Sequence, residues 1–345
     1  MVRELTLWIP GLAGPERGAA LAFEGLELGA LAQLYARGTR REQPRQEAES
    51  ALAQAFGLDG GDDVPLASLA LLGETGERHA GYWLRADPVH LSAGIDRMVM
   101  GGPSALAISA AEAQALCAEI AVEMAEEGLR PQAFSPARWY MSWPAAPRVR
   151  FSPLPMVIGA DLYPHMPEGE HALAWRRLIN HAQMVLHASP INAARREAGR
   201  VEINGLWFWG GGELPAPASS ASLARTAVWA DDPYVRGLGL NAGCRVNGLP
   251  DDAAAWLHAA ADASHVVYMD VLREPLRLSA IESWRECVAE LHERWLAPLA
   301  AALRSGEIER LRICPGGGSA YDISRREMRR RWWRRVLPVH RYHPG

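Results

Sequence analysis

Apolar residues fall by turns into short dense runs and into rows spaced three and four apart, so strands and helices are predicted to interleave along the chain. "LTLWI" (5–9) reads as a first strand stopped by "PGLAGP", and "LGALAQLYARG" (28–38) as a helix that ends at Gly38. "RREQPRQEAESALAQAFG" is a polar connection followed by another helix, and "DDVPLASLALLG" (62–73) is an apolar run behind an acidic turn. "GYWLRADPVHL" predicts a strand up to Arg85, broken by Pro88. "SAAEAQALCAEIAVEMAEEG" (109–128) is the clearest amphipathic helix, opened by Ser109 and closed by Gly128. "ARWYMSW" and "RVRFS" predict neighbouring strands, and "ALAWRRLINHAQMVLHAS" (172–189) a helix. "HVVYMDVL" (265–272) predicts a buried strand before the long helix "SAIESWRECVAELHERWLAPLAAALRSG"; "LRICPGGG" (311–318) closes with a strand and a turn. This order predicts a layered α/β protein with helices on a mixed sheet, and no fixed-period repeat interrupts it.

In "NGLWFWGGG" (204–212), Trp207 and Trp209 share one face of a predicted strand and Phe208 takes the other, so both faces are apolar. The glycines read as the end of a core strand in a tight turn, with a ligand-cradling loop as the alternative.

A chain of 345 residues with 49% hydrophobic content can bury the core of one large domain or two ordinary ones. Its 36 basic and 40 acidic residues give a formal charge of −4, which argues against a general nucleic-acid-binding surface. Cys117, Cys244, Cys287 and Cys314 form no CxxC pair, so neither a zinc site nor a disulfide framework is predicted, and a reducing cytoplasm fits best. The start lacks a signal-peptide apolar region, and no run is long enough for a membrane span. The chain contains no lysine. Schiff-base chemistry and a lysine phosphate clamp are excluded, while bidentate guanidinium recognition of phosphate or carboxylate stays available.

Metal-ligand spacing is incomplete everywhere. Asp87 and His90, Asp161 and His165, and His181 and His187 could each supply two ligands, and none makes a full site. There is no GxSxG elbow, and "GLDGGDD" and "CPGGGSAYD" lack both the P-loop lysine and the GxGxxG spacing. The segment "RREMRRRWWRR" (325–335) carries seven arginines around two tryptophans. It reads either as a basic aromatic helix for nucleic acid, anionic lipid or an acidic partner, or as a segment packed through Met328, Trp332 and Trp333 with its arginines solvated or paired.

Read in order, "LTLWIPGLAGP", "LASLALLG", "ADPVHL" with "IDR", "LHASPINAARREAG", "NGLWFWGGGELP" and "AIESW" resemble the landmarks of the archaeal-type cofactor-independent phosphoglycerate mutases of the alkaline phosphatase-like superfamily. "YWLRADPVHL" and "WFWGGG" are also similar to a small bacterial regulatory-protein family from a pathogenicity-regulation cluster of plant pathogens. The mutase resemblance implies a serine or threonine nucleophile between two divalent metals held at strand ends. This chain departs from that pattern. It has Pro10 and Gly11 where the family has a metal-binding Asp-Gly, and Asp63 and Val64 where the nucleophile belongs, with Ser68 out of register. Asp270 stands in place of a histidine, and "CPGGG" in place of a final Asp-His. Substrate-side landmarks persist instead: by resemblance Asp87, His90, Asp96, Arg97, His187, Asn192, Arg195, Asn204, Trp207 and Trp209 are the ligand-binding candidates.

The resulting expectation is an alkaline phosphatase-like core from 1–80 and 255–345 around an intervening α+β region, 81–254. The mostly parallel sheet is flanked by helices. The expected protein is degenerate and non-catalytic, has no cofactor, and binds a phosphorylated or carboxylated small molecule or a protein in a regulatory role. An active phosphomutase or phosphatase, with Mn or Zn held by relocated ligands among Asp87, His90, Asp161, His165, His187 and Asp270, is the alternative; an adaptor acting through 325–335 is another.

Overall fold

The computed structural model describes residues 4–44, 47–58, 64–94, 97–218, 220–260, 264–329 and 336–342. The chain divides into two compact units, 1–60 with 216–345, and 61–215. The boundaries expected at 81 and 254 therefore move to 61 and 215: Leu66–Thr75 is a helix packed on the strands of the second unit, and Thr226–Trp229 is hydrogen-bonded into the sheet of the first.

In the first unit seven strands lie in the order β10 (Arg245–Asn247), β9 (Thr226–Trp229), β11 (Ser264–Tyr268), β1 (Glu4–Trp8), β12 (Arg310–Gly316), β13 (Ser319–Ser324) and β2 (Thr39–Glu42). The strands from β10 to β12 run parallel, and β13 and β2 are antiparallel additions. Leu5 and Leu7 of β1 share one core with Leu31 and Leu34 of helix Gly29–Arg37, Trp284 and Val288 of Ile281–Leu291, and Leu299 and Leu303 of Ala297–Ser305. The long helix expected over 279–306 runs from Ile281 to Ser305 as Ile281–Leu291, a π turn at His292–Leu296 and Ala297–Ser305, and a short helix Arg273–Arg277 precedes it. Pro298 stands at the start of the last piece, where its missing N–H breaks the regular ladder and the wider π turn takes up the mismatch. β2 escaped the pattern reading because "TRRE" is exposed at every position; it is a charged edge strand with no apolar face to reveal it.

The second unit holds an antiparallel sheet, β6 (Gln132–Ser135), β7 (Arg138–Trp143), β3 (Tyr82–Val89) and β8 (Gly205–Glu213), beside the ribbon β4 (Leu91–Ala93) and β5 (Met98–Met100). Helix Ala110–Glu123 starts at Ser109 with a reciprocal capping box to Glu112. With helix Ala172–Ala188 it covers Leu84, Ala86 and Phe208 through Leu116, Ile120, Trp175 and Ile179. Trp207 and Trp209 belong to a separate cluster with Val89, Leu154 and Val157, as strand alternation predicts.

Three local expectations fail for physical reasons. β3 runs through Pro88 because its pairing with β7 ends at Arg85, so the proline sits where the strand has a single partner, β8. "RVRFS" is not a strand: it lies between Pro147 and Pro153, and only an isolated bridge from Arg150 to Glu168 forms. The glycines after Trp209 do not end β8 but continue it under helix Leu66–Thr75 and beside β3. A Cβ on Gly211 would lie 2.3 Å from the Tyr82 hydroxyl, and one on Gly212 would lie 2.4 Å from Pro65 Cβ. The run is a close-approach surface.

Candidate functional site

Parallel strands deliver their C-terminal loops to one edge of the sheet, where ligands of open α/β proteins bind. In the first unit the loops after β1 and β12 lie side by side: the Ile9 N–H donates to the Cys314 carbonyl at 3.0 Å, and the Gly11 N–H to that of Pro315 at 3.1 Å. A cavity of about 870 Å³ opens there, lined by Trp8, Pro10, Gly11, Arg17, Arg40, Glu47, Arg277 and glycines 316–318 among others. Those three glycines have φ of 88°, 67° and 76°, a left-handed run that only glycine adopts without strain, and it leaves bare backbone on the wall. Arg17 and Arg40 are exposed and have no ion-pair partner among the described residues, whereas Arg277 reaches Glu47 at 3.9 Å.

Farther along the same sheet edge, charge is already compensated. Asp270 follows β11, and Arg273 grips it with two guanidinium nitrogens, Nε to Oδ1 at 2.6 Å and Nη2 to Oδ2. Arg273 Nη1 also donates to Glu49 Oε1 at 2.5 Å, and Nη2 to the Tyr268 hydroxyl at 3.1 Å. The Tyr234 hydroxyl donates to the Glu49 carbonyl at 2.7 Å, so helix Ala48–Ala55, which follows β2, is tied to the segments after β11 and β9. Asp232, after β9, accepts the Val235 N–H at 3.0 Å as the cap of helix Pro233–Asn241. Burial raises its carboxyl above the usual range; the Val235 N–H opposes this, and the Asp270 charge adds to it. Burial likewise raises the Tyr268 hydroxyl.

The metal centre that the mutase resemblance implies does not fit this donor set. After β1 stand Pro10 and Gly11, at the end of β12 and just beyond it Pro315 and glycines 316–318, and the carboxylates of Asp270 and Glu49 already share a guanidinium. Among the described residues no group of three or more His, Cys, Asp and Glu is placed to hold a metal ion.

The second unit holds most of the ligand-binding candidates, with their polar groups already engaged. Asp87 is buried; its Oδ1 accepts from Arg85 Nη2 at 2.7 Å and from the Trp139 N–H at 3.1 Å, and its Oδ2 accepts from Trp209 Nε1 at 2.7 Å. Burial raises the Asp87 carboxyl, and the Arg85 charge and these hydrogen bonds hold it partly down. The Arg85 guanidinium lies 4.8 Å from the Tyr140 ring centroid and 5.2 Å from that of Trp209. Asn204 brackets Leu91 with both amide atoms, and His90 Nδ1 lies 2.8 Å from the Glu202 carbonyl. Asn192 accepts the Ile203 N–H and donates to the carbonyls of Leu186 and Ile203. Arg195 is buried against Glu112 and the carbonyls of Val201 and Leu106. Burial would raise Glu112, but hydrogen bonds from Arg200, Ser109 and Arg195 win and lower it to about 2. Trp207 Nε1 donates to the Ser152 carbonyl at 2.9 Å. Arg97 and His187 are exposed, and Asp96 lies outside the described residues.

Of the proposed relocated ligands, Asp87 and Asp270 are held by arginines, and Asp161 accepts the Tyr163 N–H at the start of a short turn that contains His165. At the tail, Met328 is buried, Arg37 donates to its carbonyl at 2.8 Å, and Arg325 pairs with Glu309 at 3.2 Å; Trp332 and Trp333 lie outside the described residues. Sequence reasoning missed Arg17, Arg40, Arg273, Arg277 and Glu49. The one available signal was Arg273 three residues after Asp270, a helical-turn ion-pair spacing.

Comparisons with known proteins agree with the mutase resemblance. No family model matches the chain. It is 37% identical over 93 residues to a probable 2,3-bisphosphoglycerate-independent phosphoglycerate mutase of Geobacter sulfurreducens, a match covering 26% of this chain and 23% of that protein. It is 26% identical over 182 residues to the 2,3-bisphosphoglycerate-independent phosphoglycerate mutase of Methanothrix thermoacetophila, covering 48% and 46%. The chain thus matches less than half the length of these curated relatives. In fold it is similar to the PH0037 protein of Pyrococcus horikoshii, with a TM-score of 0.56 at 14% identity over 94% of this chain and 88% of that one. Among the described residues no helix is long and apolar enough to cross a membrane. On this evidence the chain is a protein similar to the cofactor-independent phosphoglycerate mutases.

Proposed function

We propose that this protein is a degenerate phosphoglycerate mutase-like protein that binds a small anionic metabolite without turning it over and acts in a regulatory capacity. The observation that carries the reading is the guanidinium of Arg273. It sits between Asp270, which by resemblance stands at a metal-ligand position, and Glu49. A tethered, permanently charged cation supplies there the charge that a metal would bring, and it provides neither a Lewis-acid centre nor an open coordination position. The nucleophile position supports the same reading. Ser68, the hydroxyl closest to it in sequence, is buried and donates to the Gly212 carbonyl. The four cysteines are free thiols, which fits the reducing, cytoplasmic setting we assign.

Metal analysis and Mn²⁺ calorimetry on the full chain, followed by a coupled assay for interconversion of 3- and 2-phosphoglycerate with Mn²⁺, test the proposal. The expected result is no stoichiometric metal and no turnover. Tight binding of two metal ions with mutase or phosphatase activity refutes it.

A further inference from the structure

The cavity of the first unit has features beyond those that a small anion alone would need. Its volume of about 870 Å³ lies in the upper part of the range of about 300–1,000 Å³ that holds drug-sized ligands, and far exceeds what a three-carbon acid fills. Arg17, in the loop after β1, and Arg40, in the edge strand β2, line it without an ion-pair partner among the described residues, in a chain where acidic residues outnumber basic ones. Arginines are the side chains suited to bidentate recognition of a phosphate, and two of them line this one concavity. Beside it, Gly317 and Gly318 lie between the two strands; Gly317 is exposed, and the Gly318 carbonyl accepts the Gln43 N–H at 2.9 Å. Trp8, at the end of β1, supplies a flat apolar wall, and Glu47 supplies an acceptor for a ligand hydroxyl or amine.

We propose that this cavity binds a phosphorylated metabolite of nucleotide size, with Arg17 and Arg40 as its phosphate partners and Trp8 as the wall for its ring. The inference rests on the reading of the protein as a metabolite binder, but it requires neither a metal nor catalysis. The ligand class follows from two features: two unpaired guanidinium groups call for a multiply charged oxyanion, and the remaining volume and the indole call for a planar, largely apolar portion.

Calorimetry on the full chain in EDTA tests it, with adenosine and guanosine monophosphates, 3-phosphoglycerate and inorganic phosphate as separate probes. At least one nucleotide is expected to bind about tenfold or more tightly than phosphate or 3-phosphoglycerate. Arg17→Ala and Arg40→Ala are each expected to weaken it about tenfold, the order of one charge-assisted hydrogen-bonded contact. Both side chains are exposed, so unchanged thermal melting serves as the folding control. No binding by any probe, or binding that the double variant leaves intact, overturns the site. Equal affinity for phosphate, 3-phosphoglycerate and nucleotides overturns the assignment of a ring. Because EDTA removes metal from every arm, a negative result here leaves the non-catalytic proposal standing. Metal-dependent turnover would refute that proposal and leave this site to be judged by its own variants.

Discussion

Replacing Arg273 with alanine removes the one cation between Asp270 and Glu49, whose side chains are 25% and 17% exposed. Breaking a buried ion pair from one side costs about 3–5 kcal/mol, and the remaining access to water here puts the expected loss near the bottom of that range, roughly 3 kcal/mol. For a unit of this size that is a fall in Tm of about 6–12 °C, read by calorimetry on the full chain at neutral pH. Glu49→Gln and Asp270→Asn combined with Arg273→Gln remove all three charges together and are expected to recover more than half of the loss, because the cost lies in the stranded carboxylates rather than in the missing contacts. The variant also tests the idea that the guanidinium occupies a cation position. Millimolar Mn²⁺ is expected to raise the Tm of Arg273→Ala and leave the wild type unmoved. A loss below about 1 kcal/mol, or an equal Mn²⁺ shift in both proteins, would show that the pair is solvent-screened and that our reading of this strand end is wrong.

Gly211→Ala places a methyl group 2.3 Å from the Tyr82 hydroxyl and 2.7 Å from Leu84 Cδ2, so a loss of about 1–3 kcal/mol is expected by chemical denaturation. Gly29→Ala, whose Cβ meets nothing within 4 Å, is the matched control and is expected to be neutral or stabilising. Trp209→Phe keeps most of the ring but strands Asp87 Oδ2, and about 1–3 kcal/mol of stability should go with the indole hydrogen bond; a neutral result in the same denaturation assay would show that water replaces it. His292 Nε2 accepts the Ala30 N–H at 3.3 Å, and burial lowers its pKa below the usual imidazole range. A depressed histidine stabilises the fold above the unfolded pKa of about 6.5 and loses that contribution as pH falls from there toward the folded value. Tm should therefore drop on going from pH 7.5 to 5.5 at about 6.5 and below, and His292→Ala should show a smaller drop over the same interval.

Much of the fold was legible because burial leaves a periodic trace. β1, β8, β11, β12 and the helices Ala110–Glu123 and Ala172–Ala188 each show apolar spacing of period two, of helical period, or a short dense run. The elements that escaped carry no such trace. β2 is wholly exposed, Pro88 is allowed by the end of a partner strand, and the glycines after Trp209 answer to Tyr82 and Pro65, which are far away in sequence. Nothing local to "WFWGGG" states that a helix crosses it.

The candidate site divides along the same line. Asn192, Arg195 and Asn204 resemble landmarks of a ligand-binding region, yet in this structure they close backbone and side-chain hydrogen bonds that the fold itself requires. Such residues are informative about ancestry of shape, because a buried amide or guanidinium left unpaired costs stability whether or not any substrate is ever bound. The strand ends are under no comparable demand. A strand-end loop can hold Pro10 and Gly11 or a glycine run, provided its backbone still pairs, as Gly11 does with Pro315. On the non-catalytic reading proposed above, that asymmetry lets a chain stay recognisable by its internal landmarks while the edge of its parallel sheet carries arginines and bare backbone.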